Sequence, residues 1–194
     1  MEERMDDPAQ EAGGGAHELL SVLGSGWANA PSGLSFRLET DQDIPFLCEL
    51  YGSTRAAELA QVDWLESQKQ AFVQQQFSAQ RSHYRLHYPG AAFMVIECDG
   101  APIGRIYVHR MPDEVRLMEV TIRTADRGQG IGSTLLKRLL DWSDHLGLPM
   151  TLHVEPFNPA LRLYQRFGFV AREERGFSLF MSREVVGPAT TGLV

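Results

Sequence analysis

The sequence predicts an α/β protein with a mixed central β-sheet of about six to seven strands flanked by about four helices. Three observations carry this prediction. Short branched or aromatic runs with strand character alternate along the chain with longer stretches of helical periodicity. Asp99-Gly100 joins two such runs as a hairpin turn. A strand, a glycine-rich loop and an amphipathic helix follow one another from Val115 to Leu146, with a further strand after them.

At 194 residues and 21.7 kDa the chain suits one hydrophobic core, so a single domain with trimmings is expected. Hydrophobic residues at 43% and charged residues at 22% are those of an ordinary globular protein, too apolar for intrinsic disorder. The net charge of −7 is uneven: residues 1–33 set one arginine against six carboxylates, −5 in all, and leave −2 for the rest. The same 33 residues hold six of the eighteen glycines, which reads as a flexible acidic extension. Within it, His17 to Leu23 groups Leu19, Leu20, Val22 and Leu23, enough for a turn or two of helix able to dock on the body or on a partner.

From Leu34 the elements follow in order. Leu34 to Leu38 alternates as a strand does. Asp41-Gln-Asp-Ile-Pro opens a helix with early acids and a proline in its first turn, running to about Glu58. Asp63 reads as the next N-cap, ahead of a long helix from Trp64 to Tyr88 that Pro89-Gly90 stops. Ala92 to Glu97 and Pro102 to Arg110 are the hairpin strands, and Val115 to Arg123 is the next strand. Arg127-Gly-Gln-Gly-Ile-Gly leads into a helix from Ser133 to Leu146, striped by Leu135, Leu136, Leu139 and Leu140 and closed by Gly147. Met150 to Val154 is a strand, Asn158-Pro159 opens a helix ending at Gly168, and two strands flank Gly176.

Composition excludes several classes. The longest apolar run, Ala91 to Ile96, is six residues, against the roughly twenty that a spanning helix needs, so no membrane partner is expected. Cys48 and Cys98 stand apart without a C-x-x-C spacing, which argues against a disulfide framework and against structural zinc. The acidic start is the reverse of a secretory signal, so a cytoplasmic protein is expected. The near-neutral body has no basic stripe for nucleic acid. His83 and His87 lie four apart on the second helix, but no HExxH glutamate or third ligand accompanies them and no metal is expected. No G-x-S-x-G elbow supports a serine hydrolase.

The glycine loop carries the chemistry. Gly128, Gly130 and Gly132 between a strand and a helix let backbone approach a ligand closely, with free N–H groups where the helix dipole favours an anion. Arg127 stands at the loop entrance, and Arg123, Lys137 and Arg138 add positive charge nearby. Ser133 stands where the dinucleotide fingerprint needs Gly or Ala, and no Gly-Lys-Ser/Thr completes a P-loop.

Arg127-Gly-Gln-Gly130-Ile-Gly132 resembles the acyl-coenzyme A signature of the GNAT superfamily of N-acetyltransferases, R/Q-x-x-G-x-G/A. Asn158-Pro-Ala-Leu-Arg-Leu-Tyr164-Gln-Arg-Phe-Gly168-Phe169 is similar to that family's other motif, an Asn-opened helix that carries a tyrosine and closes with Gly-Phe. The likeness spans roughly residues 34–185 and implies the GNAT fold, an acetyltransferase domain over residues 34–186 and a short tail over 187–194.

It further implies that the strand ending at Ile122 splays from the strand ending at Val154, so that the backbone of Val120, Thr121 and Ile122 meets the pantetheine arm of acetyl-CoA. The diphosphate would lie on Arg127, Gly128, Gln129, Gly130, Ile131, Gly132 and Ser133. Asn158 either touches the cofactor or caps its helix. Tyr164, protonated at neutral pH with an unperturbed pKa of ~10, can serve as general acid to the departing thiolate; spacing alone favours a core aromatic beside Leu161 and Phe167, and its place in the motif reverses that preference. Glu119, on the signature strand before the splay, can accept the proton of the incoming amine, or else forms an ion pair with an arginine.

The implied activity is direct acetyl transfer from acetyl-CoA to a primary amine of a small molecule or protein. A non-catalytic acyl-CoA sensor or scaffold is the alternative, and a homodimer is compatible with either. Acceptor recognition falls to the first two helices, where Tyr51, Arg55, Glu58, Gln74, Gln75, Gln76, His83, Tyr84 and Tyr88 lie.

Overall fold

The computed structural model describes residues 8–24 and 33–187, with side chains from residue 15 onward. Five helices and seven strands follow the order α1 (Pro8–Gly24), β1 (Leu34–Leu38), α2 (Ile44–Leu59), α3 (Glu66–His87), β2 (Ala92–Cys98), β3 (Ala101–Arg110), β4 (Val115–Ile122), α4 (Ile131–Leu146), β5 (Met150–Val154), α5 (Leu161–Arg166), β6 (Val170–Arg175) and β7 (Ser178–Arg183). The strands form one mixed sheet in the order β1-β2-β3-β4-β5-β7-β6, antiparallel throughout except for the parallel pair β4 and β5. The predicted α/β class and seven strands are present.

Alternation along the central strands sorts side chains to two faces. Met94 and Ile96 of β2, Ile103, Ile106 and Val108 of β3, and Met150 and Leu152 of β5 form the main core with the leucine stripe of α4. The other face carries Phe93, Arg105 and Tyr107 under α2 and α3, where Leu47, Tyr51 and Phe77 make a second cluster. Among the described residues no helix is long and apolar enough to cross a membrane.

The N-terminal segment departs from the expected flexible extension. Its described part is a 17-residue helix whose Leu19 and Leu23 are 1% and 0% exposed within the main core. Glu18 fixes it, accepting Arg110 Nη1 at 2.7 Å and Trp142 Nε1 at 3.1 Å, while Arg138 Nη1 donates to the Val22 carbonyl at 2.9 Å. Gly13, Gly14 and Gly15, three of the six glycines that suggested flexibility, each cost the helix about 1 kcal/mol relative to alanine, and two leucines buried one turn apart return about 1.5–3 kcal/mol each. The docking foreseen for His17 to Leu23 is therefore part of the fold, as one face of a longer helix.

Two helix starts also differ. α3 begins at Glu66 because the Leu65 N–H is taken by Gln68 Oε1 at 2.8 Å, leaving Asp63 in the preceding loop rather than as N-cap. α5 begins only at Leu161, because Asn158 Oδ1 closes a turn by accepting the Ala160 N–H at 2.9 Å. Asn158 thus shapes the approach to α5 without being its N-cap.

Candidate active site

The site starts from a fork in the sheet. β4 and β5 pair only at Val115–Met150, Arg116–Thr151 and Leu117–Leu152, and both strands continue beyond. The cause lies on the other edge of β4: Tyr107 faces Glu119 while Val108 faces Leu117, so Met118 is an extra residue, a bulge. A bulge bends its strand and raises its twist. It also shifts the side-chain alternation, so Val115 and Leu117 face the main core before it and Val120 and Ile122 after it, with Glu119 and Thr121 on the opposite face. The backbone edge of residues 118–122 toward β5 is left without strand pairing.

At the end of β4 the chain makes a single 3-10 turn, Thr124–Asp126, and enters the glycine loop. Gly128 and Gly130 sit at φ +79° and +80°, in the left-handed region where a side chain is strained, and Gly130 is the N-cap of α4. The first helical bond runs from Thr134 N to Gly130 O at 3.0 Å. The N–H groups of Ile131, Gly132 and Ser133 precede it and have no carbonyl one turn back, so they point out of the positive end of the helix.

Of the expected cations, Arg127 is exposed with Nε on the Ile122 carbonyl at 2.8 Å, which engages one of the acceptor groups assigned to the open edge. Arg123 pairs with Asp126 at 2.6 Å, Lys137 with Asp141 at 2.7 Å, and Arg138 holds α1. Sequence reasoning missed Arg166: its Nη2 donates to Ser133 Oγ at 3.1 Å, a charge brought to the helix start by α5.

α5 ties this loop to the fork. A Cβ on Gly132 would stand 3.8 Å from Leu163 Cδ2, and Arg166 reaches Ser133, so Tyr164 lies between two contacts with the start of α4. Its ring is 7% exposed and meets Phe169 edge-on at 5.8 Å, as a core aromatic would. Its hydroxyl makes no hydrogen bond to another described residue. Burial, then the negative charge of Glu119, push the phenol up to about 12. It is therefore a protonated donor throughout the working pH range.

Glu119 has the arginine partner that sequence left as one of two readings. Thr121 Oγ1 donates to its Oε1 at 2.7 Å, and Arg105 Nη2 stands 3.4 Å from its Oε2. Arg105, on β3, was not foreseen; the available signal was a lone charge inside the apolar strand Pro102 to Val108. It is 2% exposed, and although burial opposes its charge, Glu119 and Tyr107 raise its pKa further. Tyr107 in turn donates to Glu39 Oε2 at 2.6 Å. Burial and the charge of Glu119 raise the Tyr84 phenol above its ordinary range, with Arg105 partly opposing.

The acceptor-side candidates divide. Tyr51 and Tyr84 face the sheet beside this cluster, with Arg105 5.9 Å from the Tyr51 ring and Tyr84 edge-on to Tyr107 at 6.0 Å. Arg55 joins Glu58 at 3.1 Å and Glu155, just past β5, at 3.6 Å. Gln74 lines a cavity of about 820 Å³ between α2 and α3 with Cys48, Gly52, Val73 and Phe77. Gln75 and Gln76 are exposed. His83 meets His87 at 4.4 Å with the rings tilted by 43°, and Tyr88 meets His109 edge-on at 5.7 Å. Among the described residues no three His, Cys, Asp or Glu side chains are grouped to hold a metal ion.

Comparison with known proteins gives a family match and a fold match. The profile of the acetyltransferase (GNAT) family matches residues 55–169. A mycothiol acetyltransferase of Acidimicrobium ferrooxidans is 38% identical over 91 residues, 43% of this chain, and the match spans 29% of that relative's length. The PaiA N-acetyltransferase of Thermoplasma acidophilum, solved in complex with coenzyme A, superposes with a TM-score of 0.60 at 17% identity, covering 78% of this chain and 98% of that one. YncA of Salmonella typhimurium, a putative acetyltransferase solved with acetyl-CoA, has a TM-score of 0.51 at 20% identity over 84% of this chain and 100% of its own.

Proposed function

The chain belongs to the acetyltransferase (GNAT) family, and from that premise we propose that it transfers an acetyl group from acetyl-CoA directly to a primary amine of a small molecule or protein. The observation that carries this reading is the position of α5, which meets the open N-terminus of α4 through Leu163 and Arg166 and carries, between those two residues, Tyr164, whose hydroxyl makes no hydrogen bond to another described residue.

The residues fit an acyl-CoA ligand. No Cβ stands over the loop at Gly128 or Gly130, the N–H groups of Ile131 to Ser133 are directed outward, and Arg127 and Arg166 add positive charge, a set suited to a diphosphate. The unpaired edge of β4 at Val120, Thr121 and Ile122 suits an extended amide-bearing arm, which would pair with it as a further strand does. The Ile122 carbonyl then has to release Arg127 or share it.

Aminolysis needs a neutral amine. An alkylammonium with a pKa of ~10.4 is only about 0.1% neutral near pH 7.4, so a proton acceptor beside the amine is worth up to about a thousandfold. Glu119 fills that role, directly or through a water. Nitrogen then bonds the acyl carbon, the carbon–sulfur bond breaks, and the electron pair leaves on sulfur. Tyr164 meets that charge. Full proton transfer from a phenol near 12 to a thiolate near ~8.5 is uphill by about 5 kcal/mol, so the hydroxyl acts first as a hydrogen-bond donor to the departing sulfur. The sulfur ends as a thiol, and the net proton of the ammonium goes to solvent.

The test is free-thiol release from acetyl-CoA with a panel of amines, for wild type and Tyr164→Phe. Amine-dependent thiol that falls about 100-fold in kcat in the variant, at unchanged coenzyme A affinity, supports catalysis. Tight binding without turnover on any amine overturns it in favour of an acyl-CoA sensor.

A further inference from the structure

Arg105 is the anomaly of the interior. It is 2% exposed on β3, between Gly104 and Ile106, whose side chain lies in the main core on the opposite face, and it ranks among the largest fully buried side chains. Burying a charge is unfavourable unless its partners are excellent, and a well-packed apolar residue usually serves stability as well or better. Arg105 is not even fully satisfied: its Nε is buried without a hydrogen-bond partner among the described residues. Stability of the sheet does not account for it.

Its contacts show what the guanidinium holds. Nη2 donates to Gln80 Oε1 of α3 at 3.1 Å and faces Glu119 Oε2 of β4 at 3.4 Å. Its carbon lies 5.2 Å from the Tyr107 ring of β3 and 5.9 Å from the Tyr51 ring of α2. Tyr107 is itself pinned by Glu39, which also takes Arg85 and, at 3.5 Å, Arg81. Four elements thus fix the arginine. Glu119 is the member that reaches outward, its side chain 20% exposed and its residue the first after the bulge that opens the fork.

A carboxylate tethered by Thr121 alone, at one oxygen, can still turn about its last bond. A cation 3.4 Å from Oε2 favours one setting of that plane, and it can do so only if it is itself rigidly held. Taking the reading of Glu119 as the acceptor-side carboxylate, we propose that Arg105 is a positioning residue for acetyl transfer: it sets the orientation of Glu119 at the mouth of the fork and links that orientation to the acceptor-side helices α2 and α3. The unpartnered Nε is consistent with this, since the guanidinium is turned to serve Glu119 and Gln80 rather than its own satisfaction. Lysine would keep the charge but lose the guanidinium plane that lies beside the Tyr107 and Tyr51 rings.

A double-mutant cycle on kcat/KM separates this role from a structural one. The proteins are wild type, Arg105→Met, Arg105→Lys, Glu119→Gln and the Arg105→Met/Glu119→Gln double variant, assayed with acetyl-CoA and a reactive amine, with acetyl-CoA affinity measured by calorimetry. Arg105→Met and Glu119→Gln are each expected to lose about 100-fold, almost all in kcat, with acetyl-CoA affinity within about twofold. The double variant should lose no more than Glu119→Gln alone, and Arg105→Lys should recover only part. Losses that multiply to about 10,000-fold overturn the proposal, as does an Arg105→Met loss that merely tracks the folded fraction.

If Arg105→Met does not fold, Gln80→Leu replaces it: a loss of about fivefold that vanishes in the Glu119→Gln background supports the role, and a loss that persists there overturns it. If wild type turns over no amine, the catalytic reading fails instead. Carbon NMR of the Glu119 carboxyl then decides Arg105 on its own: a resonance that shifts or broadens in Arg105→Met means Arg105 holds Glu119, and an unchanged one overturns the claim.

Discussion

The glycine loop allows a sharp contrast between two alanine substitutions only two residues apart. Gly130 is the N-cap of α4 at φ +80°, with nothing within 4 Å of a Cβ built on it, so Gly130→Ala meets no clash and its whole cost is conformational. Holding an L-residue in the left-handed region costs about 1–2 kcal/mol. Gly132 has no such φ, lies in the first turn of the helix, and an added Cβ would find Leu163 Cδ2 at 3.8 Å, an ordinary contact. There, removing glycine's backbone freedom gains up to about 1 kcal/mol. The two variants should therefore differ by about 1–3 kcal/mol, or roughly 2–12 °C in Tm for a chain of this size. Scanning calorimetry reads the difference. Coenzyme A titration adds a second readout: Gly130→Ala should weaken binding about tenfold, because the outward N–H groups depend on that backbone turn, whereas Gly132→Ala should bind as wild type does. Equal Tm values, or a coenzyme A affinity untouched by Gly130→Ala, would refute the argument that the turn at residue 130 builds the anion site.

Other tests probe different joints of the molecule. Leu23→Ala, at a fully buried position on α1, should cost about 3–5 kcal/mol in denaturant unfolding, and removing residues 1–24 should also alter Trp142 emission as its N–H loses Glu18; an extension that only flanks the fold predicts neither. Asp43 accepts hydrogen bonds from Nη1 and Nη2 of Arg37, both at 2.7 Å, and this pairing, against burial, holds its carboxyl far below the usual range. A folded pKa below the unfolded ~3.9 gives stability that is complete above that value and is lost progressively as pH falls from there through the lower folded pKa, so Asp43→Asn should cost about 1–3 kcal/mol at pH 7 and flatten the decline of stability below pH 4.

Legibility from sequence followed the range of the interactions involved. β5 at Met150–Val154, the Asp99-Gly100 turn and the leucine stripe of α4 depend on neighbours in the chain, and periodicity found them to within a residue or two. The Gly128 and Gly130 turn was likewise legible, because a left-handed backbone asks for glycine locally. α1 was not: its glycines argue for a coil, and only the sheet face that receives Leu19 and Leu23 outweighs that local preference. The local charges around the loop misled in a similar way. Arg123, Lys137 and Arg138 are near it in sequence but engaged elsewhere, while Arg166 arrives from more than thirty residues away. Arg105 shows the limit most plainly, since its partners Gln80, Glu119 and Tyr51 are spread over three other elements that only the folded sheet brings together.

A single extra residue joins these threads. Without the bulge at Met118, the alternation that buries Val115 and Leu117 would continue to Glu119 and Thr121, driving a carboxylate into the apolar face under α4. With it, Glu119 and Thr121 turn to the face where Arg105 waits, Val120 and Ile122 return to the core, and β4 bends away from β5. One insertion therefore both opens the backbone edge and aims the carboxylate beside it. Deleting Met118 should undo the two together: the β4–β5 pairing would extend past Leu117 and Glu119 would lose Arg105. Amide exchange along residues 119–122 would slow as the edge closes, alongside loss of turnover; an edge that stays rapidly exchanging after the deletion would show that something other than the bulge holds the fork open.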